Sequence, residues 1–548
     1  MTRQRQAGDK TVMQPGRWPS TCANMTGLAH PPGVCHSLTM EIELKLLIAP
    51  ADAAAFRRLA LLKQLATARP VTRLLRNTYF DTPELHLKHH GMELRVRQVG
   101  RVFIQTLKAG GQVTAGLHQR QEWEARTAGP RPELAPLIAL VEAGTTWQKA
   151  LCRPSLAQDL APIFCSEVRR TSWNLHLPQG AVIELVLDQG ELRHGDARAP
   201  ISEVELELKA GAPGVLFDLA LQLQEQLPLR IGHLSKAARG YALLSPPASV
   251  AAKARPVALD AAMTVEQGFR AIAGNCLAQM QDNEAGVIQG SDPECIHQMR
   301  VGMRRLRCAL RLFAQWIPAP TALQQELAWL VAELGAARDA DVLADSTLPQ
   351  VCDACPAELG LLRLRQAASM IAAQRRRQAG AVVASVRYCR LLLGLVGWLQ
   401  ASGWRESLAG SARDLPLEPL PKCAAQALLR CHKRLHKRGK GLLHGTAEQR
   451  HRLRIAAKNA RYAAEFFKSL QPAGRVKRYT TRLAALLEAL GGLNDAAVAD
   501  RLLRDIEGSH PMLAGSAAFT RGYLCAAANQ DMPGLARLWR QCRSTKPP

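Results

Sequence analysis

Aromatic residues are scarce, at 5% of the 548 residues. That scarcity argues against a groove that stacks the bases of single-stranded nucleic acid. Acidic residues are also short, 46 against 71 Lys and Arg, for a formal net charge of +25. An excess of this size points to a polyanionic partner: nucleic acid, anionic membrane or polyphosphate. Phosphate contact without base readout fits the shortage of aromatics best. Long apolar runs are missing as well. The most apolar stretch, Leu391 to Leu399, is too short to span a bilayer and follows Arg387 and Arg390, so a core helix and no membrane segment are expected. No P-loop signature is present, which argues against ATP hydrolysis of that type. The 14 cysteines are scattered. Cys352 and Cys355 form a CxxC with no second pair nearby, read as ordinary thiols in a loop between helices. Reduced thiols predict a cytoplasmic chain. Residues 1–39 contain no apolar stretch of signal-peptide length. They are basic and rich in Gly, Pro, Ser and Thr, and are expected to be a disordered extension, with the functional chain starting at Met40.

From 40 to 244 the pattern is mostly period two. Met40 to Ile48 sets Glu41, Glu43 and Lys45 on one face and Ile42, Leu44 and Leu46 on the other. Further strands are expected at Leu74–Phe80, Glu93–Val99, Val102–Lys108, Gln119–Arg126, Phe164–Leu177, Val182–Asp188 and Ile201–Lys209. Short helices are expected near 50–65, 132–142, 214–226 and 235–244. Many antiparallel strands at short spacing predict a barrel or sandwich. Residues 245–261, which open with Ser-Pro-Pro-Ala-Ser, read as a linker. Beyond it, over 262–540, the period changes to 3.6 and an all-α domain is expected.

The helical half repeats itself. His297, Arg300, Arg304 and Arg307 stand at spacings of three and four, on one helix face. His451, Arg454, Lys458 and Arg461 repeat the pattern. Downstream, Leu334-Gly-Ala-Ala-Arg-Asp339 is echoed by Leu490-Gly-Gly-Leu-Asn-Asp495. The offsets, 451 − 297 = 154 and 490 − 334 = 156, nearly agree. Two related helical bundles packed as a pseudo-symmetric pair are therefore expected. Cations stacked along a face repel unless an anion lies between them, and arginine binds phosphate through paired hydrogen bonds. Lys433, Arg434 and Lys437, in a dense basic run ahead of the second copy, join the expected polyphosphate-binding set. A single basic run is usually a solvated face; the repeated His-led stripe favours binding. Asp339 and Asp495 are expected to cap or brace the helices.

The strands place charge where a simple sandwich would hide apolar residues. Besides the first strand, Arg95 with Arg97, Arg120 with Glu122 and Glu124, and Glu203 with Glu205 and Glu207 share faces. For any one strand, a solvated face with cross-strand pairs explains this. Four strands with the same habit suggest an interior lined by both signs. Metal ions would pair with the carboxylates and phosphate oxygens with Arg and Lys. The residues alone leave both readings open.

Glu41-Ile-Glu43-Leu-Lys45 resembles the ExExK signature of CYTH domains, the triphosphate tunnel metalloenzymes. Similar segments follow in order: Tyr79 to Pro83, Leu94 to Arg97, Thr106 to Lys108, Leu117 to Arg120 with Glu122, Leu187-Asp188-Gln189-Gly190, Glu203 to Glu207, and Ser235-Lys236-Ala-Ala-Arg239-Gly240-Tyr241. The helical half is similar to CHAD domains, whose members bind inorganic polyphosphate. The whole resembles bacterial inorganic triphosphatases that carry a CHAD domain behind a CYTH domain. The resemblance implies a multidomain chain: an eight-stranded closed antiparallel β tunnel at 40–244, then the CHAD helices. It implies hydrolysis of triphosphate to diphosphate and phosphate on Mg²⁺ or Mn²⁺. Glu41, Glu43, Glu122, Glu124, Asp188, Glu203 and Glu205 would hold metal. Arg95, Arg97, Lys108, Arg170 and Arg239 would grip phosphates, with Lys45 and Lys236 beside the chemistry. Gln121 stands where many members carry an acidic residue.

Three function classes follow. The first is a triphosphatase whose helical half holds polyphosphate, which would place the protein in the cytoplasm at polyphosphate granules. The second is a non-catalytic polyphosphate binder, or a tunnel acting on an organic triphosphate such as thiamine triphosphate or ATP. The third is nucleic-acid binding, which rests on charge alone and has no sequence-specific recognition motif behind it. The sequence does not specify an oligomeric state.

Overall fold

The computed structural model describes residues 39–245, 250–290, 292–356, 358, 360–442, 445–530 and 532–548. The extension expected at 1–39 lies outside these apart from Thr39.

Nine strands form one antiparallel sheet: β1 (Thr39–Leu47), β2 (Val71–Asp81), β3 (Met92–Val99), β4 (Val102–Thr114), β5 (Leu117–Thr127), β6 (Ala161–His176), β7 (Val182–His194), β8 (Ala197–Ala210) and β9 (Arg230–Ile231). Their order is β5-β4-β3-β2-β6-β7-β8-β1, and β5 also pairs with β1, so eight strands close into a ring. The two-residue β9 lies along β1 outside that count. Closure leaves no free edge in the ring. The strand positions follow the sequence pattern, although β2, β4, β7 and β8 run several residues longer than expected.

The alternation is used as expected. Leu44, Leu46, Leu185, Leu187, Val204 and Leu206 point outward and pack under helix α1 (Gly214–Gln226) through Leu216, Phe217, Ala220 and Leu223. On the far side Leu94, Val96, Leu107 and Trp123 pack against the short helical segments through Leu137, Leu151 and Leu156. Full burial of each such side chain contributes roughly 1.5–3 kcal/mol. With apolar groups covering the outside, the charged positions face in. The strand register stacks them in rows across neighbouring strands: Arg170, Asp188 and Glu203; Lys45 with Glu205; Glu43, Glu207 and Glu184. Helix α2 (Lys236–Leu244), capped by Ser235, closes one end.

Residues 250–263, most of the expected linker, are packed rather than free. Val257 and Leu259 are buried in the helical core, and the Asn283 side chain bonds both the N–H and C=O of Ala252. The second domain then runs α3 (Val265–Gln281), α4 (Glu284–Gln289), α5 (Pro293–Phe313), α6 (Thr321–Val342), α7 (Gly360–Val383), α8 (Val386–Gln400), α9 (Leu420–Gly439), α10 (Ala447–Phe466), α11 (Ala473–Ser509), α12 (Ala514–Gln530) and α13 (Met532–Arg543). In the first half α5 packs on α3 and α6, and α6 on α7. In the second, α10 packs on α9 and α11, and α11 on α12. The two halves meet where α5 faces α10 and α6 faces α11. Leu391 to Leu399 forms part of α8, and its leucines are buried in the core. No single helix among the described residues is long and apolar enough to cross a membrane. Cys352 lies in a short helix, Leu348–Ala354, rather than in a loop, Cys355 follows it in the connection to the next helix, and both are free thiols.

Candidate functional site

Inside the ring, acids and bases interlock. The Lys236 ammonium, offered by the first residue of α2, lies 2.7 Å from Asp188 and 3.0 Å from Glu205, and also pairs with Glu203. Arg170 binds Asp188 through two bonds of 2.8 and 2.6 Å and reaches Glu205 at 2.7 Å. Lys45 lies 2.9 Å from Glu43 and also pairs with Glu205. On the opposite wall Lys108 pairs with Glu41 and stands 3.6 Å from Glu122, with Arg95 3.8 Å from Glu122. Glu124 accepts a 2.9 Å bond from Thr106, and Arg239 reaches Glu203 at 2.9 Å.

This burial would be prohibitive for isolated charges. Burial raises the Glu205 carboxyl, but Lys236, Lys45 and Arg170 outweigh it and hold it well below the carboxylate range. Burial likewise opposes ionisation of Lys45, and Glu205 and Glu43 outweigh it, so its ammonium stays charged. Glu207 and Glu41 differ, since burial wins at both. Burial raises Glu41 to about 7, beyond what Lys108 can offset. Arg97 is the cation without a carboxylate within ion-pair distance among the described residues. Its guanidinium bonds the Asn77 amide oxygen at 3.0 Å, and burial beside Arg95 and Arg170 lowers it to about 10. A buried cation of this kind is a ready anion site.

The seven carboxylates expected to hold metal do not form one group. Oxygens of Asp188, Glu203 and Glu205 lie within 4.8 Å of one another. Glu41 and Glu122 gather on Lys108, Glu122 directly beside it on the paired strand, while Glu43 lies against Lys45 and Glu124 is tied to Thr106. The Asp188, Glu203 and Glu205 set suits a hard divalent cation: all its donors are buried carboxylate oxygens, which Lys236, Arg170, Lys45 and Arg239 neutralise here. Tyr79, Glu93, Glu184 and Ser235 also line the lumen. Glu184 shares the inward face of β7 with Asp188 and Ser235 caps α2, so the strand period and the helix cap were the signals for them.

The glycines of those motifs have packing reasons. A methyl group on Gly190 would overlap the Glu167 carbonyl on β6, and one on Gly240 would overlap the Phe164 ring.

The helical domain holds a second site. His297, Arg300, Arg304 and Arg307 of α5 and His451, Arg454 and Lys458 of α10 converge on a cavity of about 550 Å³. Arg338, Asp339, Asp495 and Arg501, from α6 and α11, complete its walls. Gly335 leaves the space that Arg300 fills: a Cβ there would meet Arg300 Nη1 at 2.7 Å, whereas a Cβ on Gly491, its counterpart in the second copy, would reach Arg454 Nη2 only at an ordinary 4.0 Å. The Nε atoms of Arg300, Arg304 and Arg454 are buried without a hydrogen-bond partner. Burial, then Arg454, Arg304 and Arg300, lowers the Lys458 ammonium to about 7. Burial and Arg338 lower His297 to about 4, so its ring is neutral at pH 7.

Several expected residues are not brought to this cavity. Arg461 turns to Glu465 at 2.7 Å and lines a neighbouring pocket beside Lys253 and Arg255. Lys433, Arg434 and Lys437 lie exposed on α9, away from it. A dense basic run shows local charge but not which way the helix turns it. Asp339 and Asp495 line the cavity rather than cap helices, and Asp339 braces α6 against α11 through Arg501 at 3.5 Å. Arg338 and Arg501 were missed, being single cations in Ala-rich segments that only packing brings together.

Comparison with known proteins agrees with this division. The CYTH domain model matches residues 39–241 and the CHAD domain model residues 271–504. An inorganic triphosphatase of Haemophilus influenzae is 34% identical over 209 residues, covering 38% of this chain. The chain spans 55% of that relative's length. Among solved structures, the CHAD domain of the plant Ricinus communis is 40% identical, with TM-score 0.49, covering 55% of this chain and 98% of its own. A Hippeastrum protein described as having a dominant triphosphatase activity is 20% identical, with TM-score 0.28, covering 37% of this chain and 96% of its own. The chain thus carries a CYTH domain, closed as an eight-stranded barrel, followed by a helical CHAD domain.

Proposed function

We propose that the barrel hydrolyses inorganic triphosphate with a divalent metal, Mg²⁺ or Mn²⁺, and that the helical cavity binds polyphosphate. One observation supports the first part: the buried Asp188, Glu203 and Glu205 cluster meets, through Glu205, a cavity inside the ring that Arg95, Arg97, Lys108 and Arg170 also line. Asp188, Glu203 and Glu205 would hold the metal, with Glu41 and Glu43 of β1, which pairs directly with β8, as further candidates. The metal would supply charge neutralisation at the phosphates and a more acidic bound water.

The chain's own residues do the rest. Arg95, Arg97 and Lys108 bind phosphate oxygens and orient the chain along the lumen. Arg97 is suited to this because its guanidinium hydrogen-bonds the Asn77 amide and joins no ion pair among the described residues. Lys45 and Lys236 stay protonated, so they stabilise developing negative charge and do not carry protons. The charged lumen accepts oxyanions whose charge matches its Arg and Lys. The name of the Haemophilus influenzae relative supports triphosphate as the substrate. In the helical domain, arginines that converge from two repeats with buried, unpaired Nε atoms favour a linear polyanion.

The test is phosphate release from tripolyphosphate, ATP and thiamine triphosphate, with and without Mg²⁺ and Mn²⁺. The proposal expects metal-dependent release with tripolyphosphate preferred. Preference for ATP or thiamine triphosphate would transfer the tunnel to an organic substrate; binding without turnover would leave a scaffold protein.

A further inference from the structure

Lys236 reaches the acidic cluster from a short piece of chain. Only Gly232, His233, Leu234 and Ser235 separate it from β9. Each end of that piece is fixed inside the barrel domain. The Gly232 N–H bonds the Lys45 carbonyl at 2.9 Å, and the Ser235 hydroxyl bonds Glu93 at 3.0 Å while accepting from the Ala238 N–H at 3.0 Å. The middle is fixed by the other domain. A ring nitrogen of His233 lies 2.8 Å from Glu284 Oε2, on α4. The other oxygen of Glu284 accepts from the buried Tyr388 hydroxyl, on α8. Cys389, next on α8, contacts the Ile231 backbone of β9 and the Gln224 side chain of α1.

This contact is built into a continuous core. Phe217 of α1 fits against Gly397 of α8, where a Cβ would lie 2.9 Å from the phenylalanine Cβ. Helices α3 to α8 and the outer face of the barrel share one buried apolar cluster. A carboxylate buried this far needs both partners, and it finds one in each domain.

We propose that His233 is a positioning residue for Lys236, held by Glu284 and Tyr388, so that the helical domain sets the geometry of the barrel's lysine. The proposal rests on the reading of the barrel as a hydrolase. Loosening His233 frees the middle of a segment whose far end must place an ammonium among three carboxylates. Misplacement by an ångström is costly for such a group.

The experiment uses the full chain, tripolyphosphate and Mg²⁺, with kcat and KM measured for the wild type, His233→Ala, Glu284→Ala, the double variant and Glu284→Gln. His233 is a quarter exposed, so its truncation leaves no sealed cavity. The two alanine variants are each expected to lower kcat roughly tenfold with KM within about twofold, and the double variant to lose no more than either one. Glu284→Gln should retain most activity, because its amide accepts from Tyr388 and donates to a neutral imidazole. Should Glu284→Ala fail to fold, Tyr388→Phe replaces it and must also lower kcat. An active wild type with unchanged kcat in His233→Ala and Tyr388→Phe overturns the proposal alone. An inactive wild type overturns the hydrolase reading itself.

Discussion

The Lys236 ammonium stands 2.7 Å from Oδ2 of Asp188, a carboxylate with no exposure to solvent. Arg170 holds the same carboxylate from the other side. Asp188→Asn would leave two buried cations short of an acceptor. The expected cost in the metal-free protein is about 3–5 kcal/mol. Mg²⁺ or Mn²⁺ should raise the Tm of the wild type and leave that of Asp188→Asn unmoved. An equal metal-induced rise in both would remove Asp188 from the metal set.

Gly190 tests how tightly β6 and β7 are joined beside that cluster. A side chain at 190 meets the Glu167 backbone, which cannot swing aside as a rotamer can. Gly190→Ala should therefore be destabilising, by roughly 1–3 kcal/mol in denaturant unfolding. A neutral result would mean that the ladder can shift there.

Gly335 separates stability from binding in the helical domain. Gly335→Ala improves intrinsic helix propensity by up to ~1 kcal/mol, but its methyl must displace the Arg300 guanidinium. The expected outcome is an unchanged or higher Tm with weaker long-chain polyphosphate binding by calorimetry, and unchanged tripolyphosphate hydrolysis. Unchanged affinity would place the ligand away from Arg300.

Lys458 makes polyanion binding pH-dependent. Its folded-state pKa is lowered from 10.5 to about 7 by burial and by its arginine neighbours. Between those values the unfolded chain binds more protons, so this group's contribution to stability rises with pH across that window and is least below about 7. A bound polyphosphate restores the charged form. At pH 8, titrations in buffers of different ionisation enthalpy should show proton uptake that Lys458→Met removes. Buffer-independent heats in the wild type would contradict this.

Much of this was legible in the sequence because the relevant signals are periodic. Alternation on β1, β3 and β8 identified the inward face, since only one face of each strand could be buried against helices. The paired helix stripes at 297 and 451 found the cavity because both copies carry the same spacing. What stayed hidden depends on packing. β9 is two residues long and has no period. Lys433, Arg434 and Lys437 form a conspicuous run, yet α9 turns them to solvent, while the inconspicuous Arg338 and Arg501 line the cavity. The subdivision of seven carboxylates into an Asp188, Glu203, Glu205 cluster and a separate wall is set by strand register across the closed ring, which no single strand encodes.

The most direct test of the central claim is phosphate release from tripolyphosphate by the full chain with Mg²⁺ or Mn²⁺, beside a variant carrying Glu41→Gln and Glu43→Gln. Metal-dependent release by the wild type, abolished in the variant, is the predicted result. Undiminished release by the variant, or none by the wild type with either metal, would contradict it.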